Sequence, residues 1–141
     1  MPGSEIFAPF FGMLLLTLAV WVFMYVRRLK YIASNHIDPQ RLTTPDKGAA
    51  VIPEQIHWPA YNFRNLFELP VVFYALCLYL FATGSVDDVY VAGAWLFFTL
   101  RVVHSLIHCT VNVVKLRFAS YMLGALVVWF MLLRAALDFF T

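Results

Sequence analysis

The chain has 141 residues, of which 62% are hydrophobic, 18% aromatic and 13% charged, whereas soluble domains run about 45–50% apolar and about 25% charged. This composition excludes intrinsic disorder, and a chain so short has too little interior to hide that much apolar surface from water. A formal charge of +2 and two cysteines give no basis for a nucleic-acid partner, a disulfide scaffold or a four-thiolate zinc site, so the solvent for most of the chain is lipid.

Ile6 to Val26 carries no charge and is about the 20 residues that cross a hydrocarbon core as a helix. Glu5 precedes it, where a secretory leader would carry positive charge, so the segment reads as a retained span. Residues 27–61 are polar, and Asn35, Asp38-Pro39, Thr44-Pro45-Asp46, Lys47-Gly48 and Ile52-Pro53 are turn and breaker chemistry. They predict a loop of about 35 residues, a length that points to function. Trp58 and Tyr61 mark an interfacial belt ahead of the second span, 62–83. Gly84, Ser85, Asp87 and Asp88 make a short turn into the third span, 89–114, which is interrupted by Arg101, His104 and His108. A tight basic connection at Lys115 and Arg117 leads to the fourth span, 118–137. Short connections make neighbours antiparallel, so the expected fold is an all-α membrane protein, a four-helix bundle forming one domain over 1–141.

Basic residues orient the bundle. Arg27, Arg28, Lys30, Arg41 and Lys47 lie in the first loop, and Lys115 and Arg117 in the third; the second has aspartates alone. The positive-inside rule therefore predicts cytoplasmic first and third loops and both termini outside. The membrane would be a bacterial inner membrane or one of endoplasmic-reticulum type.

Arg64, Glu68, Arg101, His104 and His108 fall in or beside these spans. Each such group costs about 2.5–3.5 kcal/mol near the bilayer centre, so they must pair or face a wet cavity. On a helical wheel Arg101, His104, Ser105, His108, Asn112 and Lys115 share one stripe. Arg64 and Glu68, four apart, share a face of the second helix. At about 1.5 Å per residue Glu68 lies about 9 Å inside the entrance at Asn62, level with the histidines. Arg64, Asn65 and Glu68 can thus meet the third-helix stripe in one pocket, rimmed by Arg28, Lys30 and Arg117.

Plainer readings stand beside this one. Arg64 and Glu68 also fit an intrahelical ion pair, and Arg101 a structural charge with a permanent partner. His104 fits a polar bridge between helices as well as a ligand contact. His104 and His108 have metal-ligand spacing but no third ligand in the same run, and no metal is expected. Cys77 and Cys109 read as buried, inert thiols.

Arg64-Asn65-Leu66-Phe67-Glu68, Arg101-Val102-Val103-His104 and Arg117 opening the last span together resemble the MAPEG superfamily, the membrane-associated proteins of eicosanoid and glutathione metabolism. The resemblance covers all four spans and the long first loop. It implies a homotrimer with sites between subunits on the cytoplasmic side, and glutathione as co-substrate. By matching positions Arg28 or Arg27, Arg64, Asn65, Glu68, His104, Arg117 and Tyr121 would hold the tripeptide. Arg117 would stabilise the thiolate, and Arg101 would be a structural charge. Two positions depart from the family pattern: His108 stands where a tyrosine is usual, and Phe118 where the prostaglandin E synthase branch has a serine.

Glutathione carries two carboxylates, suited to guanidinium forks, and one ammonium, suited to Glu68. The implied activity is a thiol-dependent transferase or peroxidase acting on apolar electrophiles that arrive from the surrounding lipid. Arg117 would hold the thiolate and His108 would be a second donor. The alternatives are a catalytically silent scaffold that binds a lipid or anionic small molecule and, from the histidines, a haem- or metal-binding redox subunit.

Overall fold

The computed structural model describes residues 2–140. A short 3-10 turn, Ser4–Ile6, feeds α1 (Phe7–Ser34). The 28 residues of α1 make it about 42 Å long, against about 30 Å of hydrocarbon. It therefore continues through Arg27, Arg28 and Lys30 for about two turns beyond the apolar run.

The expected loop is not irregular. Asp38 accepts a hydrogen bond from the Gln40 amide and opens a 3-10 turn, Pro39–Leu42. Thr44 accepts one from the Lys47 amide and opens α2 (Pro45–Val51). Each pair is a polar cap followed by proline at the first helical position, where the missing N–H is not needed. Asp38-Pro39, Thr44-Pro45 and Ile52-Pro53 thus precede or open helical elements, whereas Asn35 caps the end of α1 and Lys47-Gly48 lies within α2. A third helix, α3 (Glu54–Asn65), begins after Pro53.

The second membrane crossing, Glu54–Ala82, consists of α3 and α4 (Leu69–Ala82) with a break at Leu66-Phe67-Glu68. Pro70 has no N–H to donate back, so it suits the first turn of a new helix rather than the interior of a continuous one, and Glu68 leaves helical geometry with φ −97° and ψ −104°. Arg64 and Glu68 accordingly do not share a helix face, which corrects that expectation. α4 closes with Thr83 and Gly84. The Ser85 amide donates to the Leu80 carbonyl (2.9 Å) and the Gly84 amide to Phe81 (3.1 Å), a double closure that needs the left-handed φ of 68° at Gly84.

α5 (Asp88–Cys109) is capped by the Asp87 carboxylate, which accepts from the amides of Val89 and Tyr90. It stops at Cys109, short of the expected end at 114. The connection is Thr110–Val113, where Asn112 adopts φ 47°, a conformation asparagine tolerates. Lys115 and Arg117 therefore sit in the first turn of α6 (Val114–Phe140), and Asn112 and Lys115 leave the α5 stripe.

Four helical segments are long and apolar enough to cross a membrane. α5 packs most extensively on α6, α1 lies against α3 and α5, and α4 touches α6. α5 and α6 approach closely at Gly93, where an added Cβ would stand 2.9 Å from the Met131 sulfur. Met13, Phe73, Leu76, Leu80, Ala94, Phe97, Val128 and Met131 form the core, with the Phe73 and Phe97 rings 4.7 Å apart. The outer surface is also apolar: Leu15, Leu18, Trp21, Leu106, Leu126, Phe130 and Leu133 are exposed, as lipid-facing positions should be.

Candidate functional site

Arg117 is placed by the turn before it. Its Nη1 donates to the Asn112 side-chain oxygen (2.5 Å). Its own carbonyl accepts from the Ser120 hydroxyl (2.9 Å) and faces His104 Nδ1 (3.0 Å). A carbonyl can only accept, so His104 Nδ1 is the donor in that contact. The His104 Nε2 is buried and has no partner. The His108 ring stands edge-on to His104, centroids 5.4 Å apart, with its Nδ1 buried and unpaired. Tyr121 lies 5.9 Å from His104 on the other side.

These side chains, with Tyr61, Asn65, Val114 and Phe118, line a cleft of about 380 Å³. Of the residues expected from sequence, the structure brings Asn65, His104, His108, Arg117 and Tyr121 together. It places Arg28 and Arg64 elsewhere, in an adjoining cleft of about 290 Å³ between α1, α2 and α3. Tyr61 is common to both clefts. Arg27 is committed otherwise: its Nη1 donates to the Cys109 carbonyl (3.1 Å) and closes the end of α5. Of the Arg27–Arg28 alternative, only Arg28 is left unengaged.

Glu68 lies exposed at the α3–α4 break and lines neither cleft. It forms no ion pair within 4.0 Å among the described residues. Arg101 is fully buried, its guanidinium 4.8 Å from the Tyr121 ring and 5.5 Å from Phe97. Its guanidinium nitrogens have no well-formed hydrogen bond among the described residues, and the two aromatic rings lie against the cation instead. Ser105 Oγ and Asn62 Oδ1 are likewise buried and unpaired. Such groups cost about 1–3 kcal/mol each when left so, which makes this face of α5 a place where water, ligand or another chain is needed.

The sequence model of the MAPEG family matches residues 6–137, nearly the whole chain. The chain belongs to the MAPEG family. No curated protein and no solved structure matches it. In this MAPEG member the Arg64–Glu68 element is split by the helix break, with Arg64 and Asn65 ending α3 and Glu68 preceding α4. The element beginning at Arg101 keeps its helix, and its arginine and histidine are both buried.

Two positions acquire roles that spacing did not disclose. Asn112 holds the guanidinium of Arg117 rather than extending the α5 stripe, and an asparagine at a helix end was the available signal. Tyr61, read as an interfacial aromatic, is the wall between the two clefts. Cys77 and Cys109 are both buried and unbridged, with Asn62 donating to Cys109 Sγ (3.5 Å). Among the described residues no three histidine, cysteine or acidic side chains gather as a metal site.

Proposed function

We propose that this membrane protein of the glutathione and eicosanoid superfamily is a glutathione-dependent transferase or peroxidase, working as a homotrimer with the Arg117 cleft as its thiol site. The observation that supports this most is the Arg117 guanidinium, anchored by Asn112 (2.5 Å) on the wall of a cleft that also holds His104 and His108. A thiol with pKa about 8.5 is a few per cent ionised at neutral pH. Lowering that pKa by about two pH units takes about 2.7 kcal/mol, within reach of a guanidinium in a partly dry site. The thiol proton leaves to solvent. The thiolate sulfur then bonds to an electrophilic carbon as the leaving group departs with its electron pair. With a hydroperoxide it bonds to oxygen instead and releases an alkoxide that takes up a proton.

Asn65, His104 and Tyr121 supply further polar contacts for the peptide, and His108 is the second donor beside the sulfur. Glu68 suits the amino group, reached from the exposed break or from a neighbouring copy. Val114 and Phe118 are exposed apolar residues at the cleft wall, an entry for apolar substrates from the lipid. With the basic first and third connections in the cytoplasm, the cleft opens there and the termini lie outside.

Calorimetric titration with glutathione, together with conjugation of an aryl halide, tests the reading in the parent, Arg117→Ala and Glu68→Gln proteins. Binding and turnover in the parent that fall in the variants are the expected result. Equal turnover in Arg117→Ala would overturn the mechanism. A second reading rests on Phe118, which puts a ring rather than a hydroxyl on the cleft wall. On that reading the protein is a silent scaffold that binds a lipid or anionic small molecule, and no heat of glutathione binding in any of the three proteins would favour it.

A further inference from the structure

At the end of the bundle opposite Arg117, an apolar cleft of about 390 Å³ lies between α4 and α6, with Val72, Ala75, Leu76, Leu132 and Ala136 in its walls. It adjoins a polar pocket of about 240 Å³ that holds Thr83, Ser85, Tyr90 and Asp138, and Tyr79, Ala135 and Phe139 line both. Arg117 and Asp138 sit about 32 Å apart along α6, a full hydrocarbon thickness of about 30 Å. The pocket therefore lies at headgroup level on the membrane face away from the Arg117 cleft. From the end of α4 at Ala82 the apolar cleft reaches Val72, about 15 Å deeper, which is the depth of one leaflet.

The pocket favours a cation. Asp138 Oδ2 accepts from the Tyr90 hydroxyl (3.1 Å), and Oδ1 has no hydrogen bond or ion pair among the described residues. No lysine, arginine or histidine lines the pocket. The chain has none between Asn65 and Leu100, and Arg134, the one basic residue after Arg117, is held by Asp87 (2.9 Å). α4 and α6 both end here, and helix C-termini carry partial negative charge. The Thr83 hydroxyl proton is spent within its own turn, on the Tyr79 carbonyl or Ser85 Oγ (2.9 Å each), so lone pairs are what Thr83 has left to offer. A primary ammonium brings three donors to such acceptors, whereas a trimethylammonium brings none. Apolar walls one leaflet deep and topped by a carboxylate match an amphiphile; an apolar helix of a second copy would leave the carboxylate unmatched. We infer that the α4–α6 cleft binds a bilayer lipid with a primary ammonium headgroup, its acyl chain along Ala75 and Ala136 and its head on Asp138, at a site separate from the thiol cleft.

The test uses the full chain in detergent micelles, with native mass spectrometry comparing retention of phosphatidylethanolamine and phosphatidylcholine that carry identical acyl chains. The two lipids have the same net charge, so the basic end of the bundle does not discriminate between them. The expected result is about tenfold greater retention of phosphatidylethanolamine, falling to about twofold or less in Asp138→Asn. Tyr90→Phe, which loses the hydroxyl contact and keeps the carboxylate, should retain the parent's preference. Ala136→Phe fills the cleft and should lower retention of both lipids. Equal retention of the two lipids by the parent overturns the proposal, as does a preference that survives Asp138→Asn. Unchanged lipid retention in Ala136→Phe overturns it too, and a lower oligomeric mass in that variant would assign the cleft to a second copy of the chain.

Discussion

The two ends of the α5–α6 pair treat their charges in opposite ways. At the start of α5, Arg134 forms a fork onto Asp87 (2.9 and 2.5 Å) and lies 4.3 Å from the Tyr90 ring, while the Tyr90 hydroxyl donates to Asp138 (3.1 Å). Asp87 also caps the helix. At the other end Arg101, His104, Ser105 and His108 are buried with unpaired atoms. A closed network holds helices together; an open one, at about 1–3 kcal/mol for each orphaned group, persists where something else completes it. The contrast separates structural polar residues from candidate functional ones without reference to conservation.

The comparison can be broken most decisively at Arg117. Replacement by alanine is expected to slow glutathione conjugation about 100-fold, measured alongside loss of the thiolate's ultraviolet band. Next, Asn112→Ala and Asn112→Gly should each lower kcat about tenfold with a smaller change in KM. Glycine keeps the left-handed turn and lacks the amide, so a glycine variant with full activity would show that the turn alone matters. Tyr121→Leu should destabilise the fold by about 1–2 kcal/mol by removing an aromatic face from Arg101, whereas Tyr121→Phe keeps the face. Equal melting of the two variants would move the role from the ring to the hydroxyl.

Smaller effects belong to the closed end. Arg134→Leu should lower the melting temperature only slightly, since the pair is part-exposed and such pairs are screened, and it should leave glutathione affinity unchanged. Altered affinity would mean that the two ends are coupled. The Arg134 fork, aided by the Tyr90 and Val89 amides, holds the Asp87 carboxyl below the ordinary aspartate value. A depressed folded pKa stabilises above the unfolded value of about 3.9 and loses that contribution as pH falls through the lower one. The melting temperature should therefore decline as the pH falls below about 3.9 in the parent and less in Asp87→Asn.

Much of the fold was legible because lipid makes the pattern strong. An uncharged run such as Ile6–Val26 has one stable arrangement in hydrocarbon, and Arg101 and His104 on such a helix must point inward. The break before Leu69 was less legible, although Pro70 was in view, because apolar residues continue on both sides and hydropathy does not register a lost hydrogen bond. Thr44-Pro45 was read as a breaker when it was a cap, since the same pair stops one helix and starts another.

The amino-acid sequence alone determined that the chain spans the membrane four times, which family it belongs to, and which charged residues have no place in lipid. These follow from composition and from short-range spacing, where each residue's cost is nearly independent of its neighbours. The tertiary structure alone decided that Arg28 and Arg64 share a different cleft from Arg117, that Glu68 stands clear of both, and that Asn112 holds the Arg117 guanidinium. Such placements depend on where helices end and how they cross, and a shift of a few residues at one helix end carries a side chain from one cavity to the next.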